Sequence, residues 1–167
     1  VLSGVDTYWL SKPLRPSYGQ THYVKLEGGS QEFRYSAGLK FNDYIGVMKG
    51  SDRKTITGDI VLTYRHNNLL FRNSLNVTVN NYHNSPYGSF SKYGEINPYF
   101  RPYTDDGKLN KSFYTIDIFP GKQQTNPLWN ASVGTKNFGE YTEVVDNFVI
   151  EWKPWMGVTL RGAVGYN

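Results

Sequence analysis

The chain has 167 residues, long enough for a core of its own, and a formal net charge of +4 from 18 basic and 14 acidic side chains. The charges are scattered with no run of one sign, which argues against nucleic acid as a partner, and the lack of cysteine excludes a disulfide scaffold or a thiolate metal site. Aromatics make up 16% of the residues, 14 of them Tyr, and no apolar run approaches the roughly 20 residues that a transmembrane helix needs.

Period-two alternation organises the first half of the chain. Over 21–27, His22, Val24 and Leu26 share one face, and Gly28-Gly29-Ser30 then makes a tight turn. Over 31–42, Phe33, Tyr35, Ala37, Leu39 and Phe41 oppose Arg34, Ser36, Gly38, Lys40 and Asn42. A helix would mix those two sets, so the pattern predicts a strand. A Gly-rich, charged connection precedes 54–65, where Ile56, Gly58, Ile60, Leu62 and Tyr64 oppose Thr57, Asp59, Thr63 and Arg65. His66-Asn67-Asn68 reads as a short turn into 69–80, whose apolar face (Phe71, Leu75, Val77, Val79) is broken by Asn73.

The pattern then stops from 81 to 140. Pro and Gly punctuation with interleaved aromatics, as in Asn97-Pro98-Tyr99-Phe100-Arg101-Pro102-Tyr103, predicts an ordered loop and not a disordered linker. Strands resume over 141–152, where Val144, Phe148, Ile150 and Trp152 share a face interrupted by Asp146, and over 158–166, with Val158, Leu160, Val164 and Tyr166 together. The expected fold is therefore all-β, an antiparallel up-and-down meander of about six strands with one long ordered loop. Its connections read short, long, short, very long, short. Antiparallel strands then keep every tight turn at one end and every long loop at the other, as in outer-membrane barrels. A soluble barrel or sandwich shares the alternation, and the pattern alone leaves both open.

Particular stretches tip that balance. Gly46-Val47-Met48-Lys49-Gly50-Ser51-Asp52-Arg53, Phe71-Arg72-Asn73-Ser74-Leu75, Ser85-Pro86-Tyr87-Gly88-Ser89-Phe90 and Asn97 to Tyr103 resemble, in order, segments of SusC/RagA-like TonB-linked transporters. So does the run from Asn126-Pro127-Leu128-Trp129-Asn130-Ala131 through Tyr141-Thr142-Glu143 and Asn147-Phe148 to Glu151-Trp152, and Asp6-Thr7-Tyr8-Trp9-Leu10 resembles a loop entering such a strand. The resemblance implies a bacterial outer membrane of the Bacteroidetes kind and a plugged barrel of about twenty-two strands. It also implies import of glycan or peptide oligomers, a SusD-like surface lipoprotein as partner, and energy from the TonB system through the plug. The sequence shows neither plug nor TonB box and opens on Val1-Leu2-Ser3-Gly4 without a leader. The expectation is one partial barrel segment over 1–167 that does not transport by itself. An isolated segment is further expected to close into a small barrel or sheet stack, or to pair with a second copy.

No acid/base pair or nucleophile is apparent, so no enzyme activity and no cofactor are expected. His22, His66 and His83 lack metal-ligand spacing, and Asp105-Asp106-Gly107 reads as a β-turn before it reads as a cation loop. The loop aromatics are the candidate contacts for ligand or partner, with Tyr82, Tyr87, Tyr99, Tyr103 and Trp129 foremost; most should pack the loop onto itself, leaving one or two to face a ligand. Under the resemblance, Arg34, Lys40, Arg72 and Arg161 line the lumen, and Tyr64, Trp152, Trp155 and Tyr166 suit an aromatic girdle at the lipid boundary. The alternative is a soluble β-domain that binds carbohydrate through exposed aromatics. The discriminating positions are Phe33, Tyr35, Leu39, Leu62 and Phe71, exposed to lipid in one case and buried in the other.

Overall fold

The alternating segments form one sheet. In a computed structural model that describes residues 4–114 and 123–167, the strands are β1 (Tyr18–Gly29), β2 (Phe33–Ile45), β3 (Asp52–His66), β4 (Leu69–His83), β7 (Phe138–Trp152) and β8 (Leu160–Tyr166). They lie in the order β1-β2-β3-β4-β7-β8, an antiparallel meander. Between β4 and β7 run a short ribbon, β5 (Ser112–Tyr114) with β6 (Gln123–Thr125), and two short helices, α1 (Ser91–Gly94) and α2 (Pro127–Ser132). Positions 1–3 of the predicted N-terminal start and 115–122 of the predicted loop lie outside the described residues. Among the described residues no helix is long and apolar enough to cross a membrane, a fact that does not bear on strands.

Contacts divide the chain into two compact units. The sheet unit holds 19–44, 53–82 and 139–167, and the loop unit holds the N-terminal segment to Tyr18, 45–52 and 83–138. While β8 begins at Leu160, later than predicted, other strands run past their predicted ends, β4 through Tyr82 to His83 and β1 back to Tyr18. The short hairpins explain this. Asn67 adopts a left-handed φ of 49°, as a two-residue hairpin turn requires, so β3 and β4 stay paired for 15 residues each. At the other tight turn Gly29 has φ 131° and sits on the Phe33 carbonyl, where no Cβ fits.

One face of this sheet is apolar and uncovered. Phe148 faces Val164 across the β7–β8 register and Trp152 faces Leu160, while Tyr64, Phe71 and Phe148 follow one another across three strands at ring spacings of 6.4 and 6.5 Å. Leu26 is 66% exposed and Leu39 57%. The two polar residues that interrupt this face complete each other: Asn73 Nδ2 donates to Asp146 Oδ1 at 2.6 Å. Polar rungs occupy the opposite face, with Thr57 on Thr78 at 3.2 Å, Thr55 Oγ1 donating to Asn80 Oδ1 at 2.8 Å, and Glu151 opposite Arg161. Several tyrosines lie over glycines of neighbouring strands, Tyr44 on Gly19, Tyr35 on Gly28 and Tyr82 on Gly139, filling the gap that a missing side chain leaves.

Closure into a small barrel does not occur; β1 and β8 remain the two edges of an open sheet. Curling six strands would press the polar-face Arg and Tyr side chains into an interior narrower than the eight-stranded one that side chains already fill.

Candidate functional site

The predicted loop and the N-terminal segment build a core that the sheet lacks. Trp9 follows the short segment after Gly4 and sits in a 3-10 turn (Trp9–Ser11), where it is buried with Tyr93, Ile96, Phe113 and Leu128. Its ring meets Phe113 edge-on at 5.4 Å, and Phe100 stacks on Phe113 at 4.8 Å. Trp9 Nε1 donates to the Asn97 carbonyl at 3.2 Å, and Thr7 donates from its amide to the Pro98 carbonyl at 2.9 Å and from its hydroxyl to the Phe100 carbonyl at 3.1 Å. Burial, followed by the charge of nearby Tyr87, pushes the Tyr93 phenol up to about 12, and its hydroxyl donates to the Tyr87 carbonyl.

Asn126 ties the far end of the loop. Its side chain is fully buried; Oδ1 accepts from the Leu128 amide at 3.0 Å as the N-cap of α2, with Pro127 at the first helical position. Nδ2 donates to the carbonyls of Pro102 at 3.1 Å and Asn110 at 2.7 Å. The Asn-Pro-Leu-Trp stretch is thus an internal clasp. The 45–52 connection is held in the same way: Arg15 donates to the carbonyls of Gly46 and Ser51, the Lys49 amide to Pro13, and Ser85 Oγ to Lys49.

Against this frame the candidate contacts separate. Tyr82 is a strand residue, with Gly139 under its ring and the Arg53 guanidinium 5.7 Å from its centroid. Tyr87 packs against the loop core, with the Lys49 ammonium 5.9 Å from its ring. Trp129 is half-buried on α2. Tyr99 and Tyr103 remain open, at 53% and 48% exposure. Both stand on a fixed backbone. The Tyr99 amide donates to Asn97 Oδ1, and Tyr103 bridges to Leu109 above a turn in which Thr104 and Lys108 pair and Asp105-Asp106-Gly107 forms the tip. Between them Arg101 pairs with Asp105 at 3.0 Å. Exposed phenols such as these can stack on flat rings or peptide planes and hydrogen-bond at their edges. Tyr8 and Phe90, exposed in the same unit, extend the aromatic surface; neither stands among the five leading candidates read from sequence.

The four basic residues Arg34, Lys40, Arg72 and Arg161 are all exposed strand residues of the polar alternation. They share that side with acidic groups, including the Lys25–Glu27 ion pair and Asp59, whose carboxylate lies on Gly38. The histidines have aromatic or carboxylate neighbours. His22 stacks near Phe41, His66 near Tyr64, and His83 Nδ1 meets Asp52 Oδ1 at 2.9 Å. Sequence reading missed the last pairing. It was accessible: Asp52 and His83 stand equally far from the His66-Asn67-Asn68-Leu69 turn, so hairpin register brings them together.

No protein-family model matches the chain, and no curated protein matches it in sequence. Among solved structures, a chain of the RagAB peptide transporter superposes on 97% of this chain with a TM-score of 0.69 at 20% identity. A chain of the RagAB peptide importer in its closed-closed state does so with a TM-score of 0.68 at 18% identity. In both cases the match spans 19% of that chain, so this sequence corresponds in fold to about a fifth of a transporter chain.

Proposed function

We propose that this chain is a wall segment, with its outer loops, of a TonB-dependent outer-membrane importer of nutrient oligomers. The observation that carries the reading is the uncovered apolar face, on which Leu39, Ile60, Leu62, Phe148 and Ile150 stand exposed in alternation. In water such a face is an aggregation surface, whereas against acyl chains it needs no cover. The strand lengths of 12 to 15 residues in β1 to β4 also exceed the roughly 9–11 that a tilted crossing requires. A soluble carbohydrate-binding domain would have to bury that face.

In this reading Arg34, Lys40, Arg72 and Arg161 line the lumen, and 81–140 is an outer loop. Tyr99 and Tyr103 meet the oligomer there, with Trp129, Tyr87 and Tyr82 supporting the loop and strand ends behind them. Peptide is preferred to glycan, because the two structures named above are of a peptide carrier. Transport belongs to the whole protein, which would supply the plug reached by TonB and would pair with a SusD-like lipoprotein. No catalytic step is assigned.

Single cysteines at Leu39, Lys40, Leu62 and Thr63, spin-labelled in the chain reconstituted in lipid, test the orientation. Leu39 and Leu62 should be relaxed by oxygen dissolved in the bilayer, and Lys40 and Thr63 by a water-soluble nickel chelate. Equal access of the chelate to all four would overturn the membrane reading and return the soluble domain.

A further inference from the structure

The Asp52–His83 pair borders a cleft of about 460 Å³ in the loop unit, whose walls include Gly50, Pro86, Lys136, Asn137 and Phe138. Phe138 is 66% exposed, with its ring 6.1 Å from the His83 ring. Gly50, at φ 80°, lies where a Cβ would strike Pro86, so the cleft needs glycine at that point. Asn137 is held by Asn84, through the amide to its carbonyl at 2.8 Å and side chain to side chain at 3.1 Å. With Nδ1 engaged by the Asp52 carboxylate, His83 presents Nε2 away from that pair.

Position along the strands identifies the occupant. His83 ends β4 in the alternation of Phe71 and Val79, and Phe138 begins β7 in the alternation of Phe148 and Trp152, so both belong to the apolar side at its long-loop end. From Trp152 to Phe138 the strand rises roughly 46 Å, or roughly 35 Å along the membrane normal at the usual barrel tilt. An apolar band is about 25 Å tall, which leaves Phe138 and His83 at headgroup level. The cleft combines an apolar wall (Phe138, Pro86) with a cation (Lys136) and an imidazole edge. That is the chemistry of an amphiphile with a negative head, and a free anion would leave the apolar wall unused.

We propose that this cleft seats the headgroup of an anionic lipid, with the root of its acyl chain against Phe138. The assignment rests on the membrane reading above. The test uses the full chain, carrying a donor dye on a single cysteine introduced at Thr135 of the cleft, with vesicles of phosphatidylcholine alone or with one part in five phosphatidylglycerol, and energy transfer from that dye to a labelled lipid of either kind reads occupancy. The wild-type chain should enrich the anionic lipid, Lys136→Gln should reduce the enrichment about fivefold, and Lys136→Arg should preserve it. Replacing Phe138 by Ala should lower occupancy by both lipids at this position without changing insertion. Equal occupancy by the two lipids in the wild type, or enrichment that survives Lys136→Gln combined with His83→Gln, overturns the headgroup seat while insertion stands. Displacement of the lipid by inorganic phosphate reassigns the cleft to a free anion and overturns the lipid. A chain that enters neither vesicle overturns the membrane reading and this inference with it.

Discussion

The sheet unit and the loop unit deploy the same residue types in opposite ways. In the sheet, Leu26, Leu39 and Ile60 stand exposed on an uncovered face, and the aromatic rings Tyr64, Phe71 and Phe148 lie beside one another across strands at 6.4 and 6.5 Å. In the loop unit, Tyr93 is 1% exposed and Trp9 3%, enclosed by rings from stretches far apart in sequence. The contrast teaches where each unit gets its order. The sheet depends on backbone pairing between its strands. The loop unit carries a core and a buried polar clasp of its own, which lets its outer aromatics stand on rigid backbone.

Substitutions that act on one unit alone break the comparison most cleanly. Phe113→Ala removes the ring that both Trp9 and Phe100 pack on, at a cost of about 3–5 kcal/mol. Limited proteolysis should then open 83–138 while β7–β8 amides keep their exchange protection. Leu39→Arg makes the reciprocal change. Under the proposed membrane placement it should cost about 2–4 kcal/mol of insertion, measured by urea titration in vesicles, with Trp9 remaining as shielded from quenchers as in the wild type. Loss of the Trp9 environment in that variant would mean that the units are not separable.

Smaller effects sharpen the picture. Asn126→Ala deletes the α2 cap, takes the side-chain donor from the Asn110 carbonyl and leaves the Pro102 carbonyl with the Asn110 amide alone, costing about 2–3 kcal/mol, again read as proteolysis confined to the loop unit. The smallest effect is alkaline. The Tyr93 phenol is held neutral by burial up to about 12 against 10 when unfolded, so its contribution to stability is complete below pH 10. Above that, the unfolded chain releases the proton first and the contribution falls progressively toward pH 12. Near-UV melts should show a loop-unit transition that declines more steeply over that window in the wild type than in Tyr93→Phe.

The sequence alone determined the strands and their faces. Alternation is local: neighbouring side chains in extended backbone point to opposite sides, so Leu39 and Lys40 declare their faces without knowledge of any partner strand. Turn chemistry at His66-Asn67-Asn68 is equally local, and it sets the β3–β4 register that brings His83 to Asp52. Other features were decided only by the tertiary structure. That Tyr82 lies within a strand over Gly139, that Tyr87 packs inward while Tyr99 and Tyr103 stay open, and that Asn126 is a clasp all depend on contacts between residues distant along the chain. The same holds for the core joining Trp9 to Phe113 and Leu128, since irregular loop backbone has no period from which to read an inward side. Asn73 and Asp146 show the boundary most sharply. Each interrupts the apolar pattern of its own strand, and only the sheet reveals that a hydrogen bond joins them.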